Sequence, residues 1–79
     1  MKKYKYITIK QEGLQSYNNK PIYRIFNNKS CVQIGMLSFY KPWKEYVFSA
    51  PEDCVFNDGC LRDVLNFLNL IKEGKVPAQ

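Results

Sequence analysis

The sequence has no histidine, and its four glycines are scattered. Without an imidazole, the side chain that most often acts as a general base near neutral pH is missing, and a Ser or Cys nucleophile lacks its usual partner. The positions of Gly13, Gly35, Gly59 and Gly74 do not form a phosphate-binding loop. These absences argue against catalysis, so we expect a protein that is not an enzyme and that uses no cofactor.

Cysteine is also scarce, and long apolar runs are missing. The cysteines are Cys31, Cys54 and Cys60, an odd number with no C-x-x-C spacing, so we expect reduced thiols and no metal site. The basic start Met1–Lys3 is not followed by the apolar segment of about 7–15 residues that a signal peptide needs. No apolar run approaches the roughly 18 residues of a membrane span. We therefore expect a cytoplasmic protein with no membrane contact.

Acidic residues are few in the first part of the chain. Residues 1–50 hold nine Lys and Arg against two Asp and Glu, whereas residues 51–79 hold three against five. The whole chain of 79 residues has a net charge of +5 and is 15% aromatic. This length predicts one small domain over residues 1–79 with a thin core. A basic, aromatic first part followed by a nearly neutral second part is typical of a binding module.

The hydrophobic pattern changes period near Pro51. Before it, apolar residues alternate with period two, which predicts strands, and after it they recur with the period of an amphipathic helix. The result is an α+β fold, in which three or four antiparallel strands form a sheet with one C-terminal helix packed on one face. The predicted strands cover about 4–10, 22–27, 31–40 and 45–49, the helix about 58–73, and a frayed tail 75–79.

The predicted helix carries both of its boundary signals and an apolar stripe. Asn57 or Asp58 is the expected N-cap, and Gly74 stands where a left-handed C-cap is expected. We expect the stripe to pack on either face of the third strand, whose Val32 and Met36 share one side. The stripe consists of Leu61, Val64, Leu65, Leu68 and Ile71. Within that third strand, Gly35 indicates a bulge or a close approach of another chain segment.

Basic and aromatic residues cluster along the predicted strands. Lys and Arg can contact phosphates, and aromatic faces can stack on unpaired bases. The alternative is that the tyrosines are cross-strand packing partners and that the lysines keep the sheet soluble. The candidate site residues are Lys5, Tyr6, Tyr23, Arg24, Tyr40, Lys41, Trp43, Lys44 and Tyr46, with Tyr4 and Lys10 beside them on the first strand.

Two functions remain open from these residues. The first is a nucleic-acid-binding module, for DNA or RNA, that uses a basic aromatic sheet face. The second is a protein-binding inhibitor or accessory factor that occupies a host or phage protein through Trp43 and neighbouring tyrosines, because Trp is enriched at binding hot spots. Trp43 either projects as such an anchor or folds back as a lid on the core. A homodimer is compatible with both functions, since a small core gains from association.

Several short motifs resemble a family of small uncharacterised bacterial and prophage proteins. That family has a Y-R-I opening followed by N-K-S, a Y-x-P/K-W turn, an E/Q-Y-V-F strand and a C-L-x-D-V/I helix start. The resemblance covers about the last two-thirds of the chain and implies a phage or mobile-element context. The matching segments are Tyr23–Ile25, Asn28–Ser30, Tyr40–Trp43, Tyr46–Phe48 and Cys60–Val64.

The order of three strands followed by a helix also resembles the AP2-like DNA-binding domains attached to phage integrases. In those domains the sheet enters the major groove, so the resemblance implies DNA binding through the sheet. The strand positions of this chain carry Tyr more often than Arg, the usual reader of guanine.

Overall fold

The computed structural model describes residues 1–16 and 18–76. Within them, one antiparallel sheet of five strands is followed by one α-helix, and the strands lie side by side in chain order. The predicted α+β class is therefore confirmed, with a strand more than expected. The elements are β1 (Lys2–Lys3), β2 (Ile7–Leu14), β3 (Pro21–Asn27), β4 (Gln33–Tyr40), β5 (Glu45–Ser49) and α1 (Asp58–Glu73).

The extra strand is β1, which precedes the first predicted strand, about 4–10, and lies outside its bounds. Lys2 and Lys3 form β1, and the chain then turns, with the Tyr4 N–H donating to the Ile7 carbonyl at 2.8 Å. β2 starts after this turn and runs to Leu14, beyond the predicted end at residue 10. Its pairing with β3 is irregular between Gln11 and Leu14, where Gly13 has a φ of +105°. Glycine adopts that angle without strain, so the strand continues through this irregularity.

The strand β4 contains the bulge that its glycine indicates. Ile25 pairs with Gly35 and Phe26 pairs with Gln33, so Ile34 is an extra residue on β4. The strand also starts at Gln33 rather than at residue 31, because the preceding turn is longer than predicted. In that turn the side chain of Asn27 accepts hydrogen bonds from two main-chain N–H groups, and Cys31 adopts a left-handed φ of 61°.

The helix α1 has a defined cap at each end. Of the two candidates for the N-cap, Asn57 has that role, and its side-chain oxygen accepts from the Cys60 N–H at 2.8 Å. At the other end Gly74 is left-handed with a φ of 68°, and its N–H donates to the Ile71 carbonyl at 3.1 Å. Beyond it, Val76 packs against the core. Residues 77–79 of the predicted tail lie outside the described residues.

The core lies between α1 and one face of the sheet. On the helix its buried members are Cys60, Val64 and Phe67, and the Phe67 ring meets the Tyr23 ring edge to face with centroids 5.1 Å apart. Leu68 and Ile71 are half-buried beside them. The buried sheet residues are Ile7, Ile9, Tyr23, Ile25 and Leu37. On β4, the face that packs against the core is therefore the one that carries Leu37, opposite Met36.

The expectation that Leu61 and Leu65 belong to the core is wrong. Their side chains are 48% and 57% exposed, whereas Phe67 is 1% exposed. Two apolar tracks run side by side along α1, one through Cys60 and Phe67 and the other through the two leucines. The predicted stripe took members from both tracks, because neighbouring positions on a helix are only about 100° apart. The buried ring of Phe67 packs over the sheet against Tyr23, and Leu61 and Leu65 lie to one side of this contact.

Candidate functional site

Four of the predicted site residues meet at the tip of the β4–β5 hairpin. These are Tyr40, Lys41, Trp43 and Lys44, which form and flank a single 3₁₀ turn. Trp43 is 68% exposed, and its ring meets the Tyr40 ring edge to face with centroids 5.1 Å apart. The turn closes with Lys44 in a left-handed conformation, its N–H donating to the Lys41 carbonyl at 3.1 Å. Trp43 is thus an exposed group at the tip and not a lid on the core.

The pair Lys5 and Tyr6 lies elsewhere, in the turn between β1 and β2. The Lys5 ammonium is 5.2 Å from the centre of the Tyr6 ring, which is 45% exposed. Both residues line a depression of about 340 Å³ at the start of α1, together with Asp58 and Asp63. Because two carboxylates share this depression, its charge is mixed.

Tyr23 and Tyr46 lie on the helix side of the sheet, with ring centroids 5.9 Å apart. Tyr23 is 6% exposed, and the hydroxyl of Tyr46 donates to the Pro21 carbonyl at 2.6 Å. Burial, together with a smaller contribution from the neighbouring Tyr23, raises the pKa of Tyr46 to about 12. Burial likewise raises the pKa of Tyr23. These two rings pack as cross-strand partners, which was the alternative interpretation of the tyrosines.

Tyr4, at the start of the same turn as Lys5, also faces the helix. Its hydroxyl donates to the side-chain oxygen of Asn66 at 2.7 Å. Burial, together with a smaller contribution from the negative charge of Asp63, raises its pKa to about 12. The ring of Tyr4 therefore joins the first turn of the chain to α1.

Three cations lie together on the face of the sheet opposite α1, which we call the open face. Lys3 pairs with Thr8 in the register of β1 and β2, and Lys10 pairs with Arg24 in the register of β2 and β3. Directly opposed residues point to the same face, and so do residues two apart on one strand. Lys3, Lys10 and Arg24 therefore form a basic cluster that crosses three adjacent strands.

None of the three cations of this basic cluster is in an ion pair within residues 1–16 and 18–76. The ion pairs there are Arg62 with Asp58, within α1, and Lys75 with Glu73, at the C-terminal end of α1. Like charges that are directly opposed on a sheet destabilise it. The opposition of Lys10 and Arg24 therefore costs folding stability unless an anion is bound.

Apolar groups surround the basic cluster. The Lys10 ammonium lies 5.3 Å from the centre of the half-buried Phe26 ring, and Met36 pairs with Arg24 across β3 and β4. A depression of about 350 Å³ over β1 to β3 is lined by Lys3, Lys10 and Phe26 among others. A second depression, of about 510 Å³, lies over β3 to β5 and is lined by Arg24 and Met36 among others. The open face thus combines cations that form no ion pair among the described residues with an aromatic ring.

The hairpin tip continues this surface. Tyr40 is four residues beyond Met36 on β4 and so points to the open face, about 13 Å further along the strand. Of the predicted site residues, Arg24 and Tyr40 therefore point to the open face, and the Trp43 ring packs against Tyr40. Lys3 and Phe26 were not predicted, because alternation within a strand does not tell which strands are neighbours or in what register.

The three cysteines differ in their surroundings. Cys31 is exposed, Cys54 is half-buried and Cys60 is buried, and all three are free thiols. In the part of the chain that the structure describes, no three His, Cys, Asp or Glu side chains are grouped as metal ligands would be. Among those same residues, no helix has the length and apolar character needed to cross a membrane.

No protein-family model, curated protein or solved structure matches this chain at a significant level.

Proposed function

We propose that this chain is a non-enzymatic nucleic-acid-binding module whose contact surface is the open face. The observation that carries the proposal is the direct opposition of Lys10 and Arg24, with Lys3 beside them and none of the three in an ion pair among the described residues. Such an arrangement destabilises the free protein, and a polyanion that binds across the strands removes the repulsion. A phosphate backbone supplies several negative charges at regular spacing along one line.

The aromatic residues give this surface a second kind of contact. When Lys10 turns to a phosphate, the ring face of Phe26 becomes available to a base or a sugar. Tyr40 and Trp43 at the hairpin tip offer exposed rings on which an unpaired base can stack. Because most of these contacts are to phosphates, we propose binding with little sequence preference. We place this activity in the cytoplasm, where free thiols stay reduced.

The salt dependence of binding tests this function. With three phosphate contacts, log K against log salt should have a slope of about −2 on a single strand and nearly −3 on duplex DNA. The double variant Lys10→Gln/Arg24→Gln should lose about two-thirds of that slope. The matched control is Lys75→Gln, which removes a cation near the end of α1, away from the open face, and should change the slope little. Fluorescence anisotropy with labelled DNA and RNA oligonucleotides gives both slopes.

The proposal would be contradicted if the double variant and the Lys75→Gln control weakened binding equally, because the binding would then depend only on the net charge of the protein. Binding that vanishes above about 50 mM salt would also contradict it, since a basic protein attracts polyanions non-specifically at low ionic strength.

The second candidate function is binding to a protein through the hairpin tip. It is favoured by one observation, the 68% exposure of Trp43 with Tyr40 packed at its edge. A rigid pair of exposed aromatic rings is a common anchor in protein interfaces. Trp43→Ala separates the two functions: if it abolishes capture of one defined protein while the wild type binds neither DNA nor RNA, the protein-binding function replaces the first.

A further inference from the structure

Two leucines of α1, Leu61 and Leu65, are exposed, and together with Leu68, which packs against the core, they are spaced like the seam of a coiled coil. Leu61 and Leu65 are 48% and 57% exposed, and Leu68 continues the track three residues later, half-buried. Asp58 precedes the track by three residues, and Lys72 follows it by four. Steps of alternately three and four residues place side chains on one side of a helix. The five residues therefore form one continuous seam.

This seam is self-complementary. Leu65 lies seven residues from Asp58 and seven from Lys72, which is about 10.5 Å along the axis in each direction. A second α1 that runs antiparallel about an axis at Leu65 would place each Asp58 beside the partner's Lys72. The two copies of Leu65 would then meet, and each Leu61 would face the partner's Leu68. We infer that α1 is the interface of a homodimer with two-fold symmetry.

The charges at the ends of the seam select this partner and this direction. A parallel pairing would oppose Asp58 to Asp58 and Lys72 to Lys72, whereas the antiparallel one makes two attractive contacts. The side chain of Asp58 is 93% exposed and its ion pair with Arg62, at 3.7 Å, is at the surface, so it is accessible to a partner. Antiparallel helices also align their dipoles favourably.

The dimer leaves the open face uncovered. Since α1 lies on one side of the sheet and the open face is on the other, two copies joined through α1 present their basic clusters on opposite outer surfaces. The dimer therefore does not depend on the proposed nucleic-acid binding, and the failure of one would leave the other standing.

Sedimentation equilibrium over a range of protein concentrations tests the dimer. We expect a concentration-dependent dimer, because a seam three leucines long buries a modest area. Leu65→Glu should weaken it by at least about tenfold, since it places two carboxylates at the centre of the interface. The matched control is Asn66→Asp, which adds the same charge one residue further on, keeps the oxygen that accepts from Tyr4, and lies off the seam. Circular dichroism confirms that each variant is folded.

A charge exchange tests the antiparallel direction. Asp58→Lys alone and Lys72→Asp alone should each weaken the dimer, and the double variant should restore most of the loss because both contacts are then reversed together. A chain that stays monomeric up to about 1 mM, including one that captures a different protein through α1, would overturn the inference. A dimer that Leu65→Glu leaves intact would do the same.

Discussion

Phe48 packs directly over Gly35. A Cβ atom added at Gly35 would lie 2.9 Å from the Phe48 ring carbon Cε1 and 3.2 Å from the Ser49 carbonyl oxygen. Both contacts are shorter than packed side chains ordinarily make, and the second is to main chain that cannot move aside. The glycine therefore allows the ring of Phe48 to lie on the bulge of β4.

Gly35→Ala should consequently destabilise the fold by about 1–3 kcal/mol, because either the ring or β5 must shift. The control is Gly59→Ala in the first turn of α1, where the new Cβ would meet Asn57 at 3.4 Å and Tyr6 at 3.7 Å, which is ordinary contact. That variant should stabilise the protein by about 0.4–1 kcal/mol, since alanine loses less entropy on folding. Urea unfolding measures both, and an unchanged midpoint for Gly35→Ala would contradict the close packing.

The two apolar tracks of α1 should respond differently to truncation. Phe67→Ala removes a ring that is 1% exposed and should cost about 3–5 kcal/mol, enough to unfold much of a domain of this size. Leu65→Ala should cost at most about 1 kcal/mol, because its side chain is 57% exposed. Thermal melts at low protein concentration keep dimerisation out of the comparison. Equal losses for the two variants would mean that the buried face of α1 is assigned wrongly.

Alkaline pH should weaken the fold through Tyr46. Its pKa is raised by burial from an ordinary value of 10.0 to about 12, so between these values the unfolded chain has lost a proton that the folded chain still holds. The stabilisation is complete below pH 10 and is lost as the pH rises towards 12. Tyr46→Phe should therefore show a shallower decline of unfolding free energy over that range. The control is Tyr40→Phe at the exposed hairpin tip. The prediction would be wrong if the unfolding free energy of Tyr46→Phe declined with pH as steeply as that of this control.

The N-cap of α1 gives a separate prediction. Asn57→Ala removes the oxygen that accepts from the Cys60 N–H at 2.8 Å and should cost about 1 kcal/mol. Asn57→Asp keeps an acceptor and places a negative charge at the positive end of the helix dipole, so its stability should be at least that of the wild type. Thermal unfolding followed by circular dichroism at 222 nm measures both. Equal melting temperatures for Asn57→Ala and the wild type would show that the cap does not matter.

The parts of the fold that depend on neighbours in sequence were predictable. The capping signals at Asn57 and Gly74 are local, and so is the alternation that defines the strands. The side of α1 that meets the sheet was not predictable from Val64 and Leu65, because both are apolar. In the structure Val64 is buried beside Phe67, whose ring packs against Tyr23.

The candidate site was predictable only in part for a similar reason. The sequence brings Tyr40 and Trp43 together because they lie in one turn. The cluster of Lys3, Lys10 and Arg24 depends on strand register, which no single strand encodes. Tyr23 lies in the middle of β3 on the face that α1 covers, whereas Tyr40 lies at the end of β4 on the other face, so the position of α1 decides which of the two is buried.

The pairing of every strand with its neighbour in the chain bears on how quickly this protein assembles. Each hairpin closes a short loop, so every strand can pair with a segment that is near it in the chain. Such topologies fold fast for their size. The helix is different, because the hydrogen bond from Tyr4 to Asn66 joins residues 62 positions apart. Docking of α1 would then be the last event, and until it occurs Tyr23 and Ile25 remain in water. Substitutions at Phe67 should accordingly speed unfolding more than they slow folding.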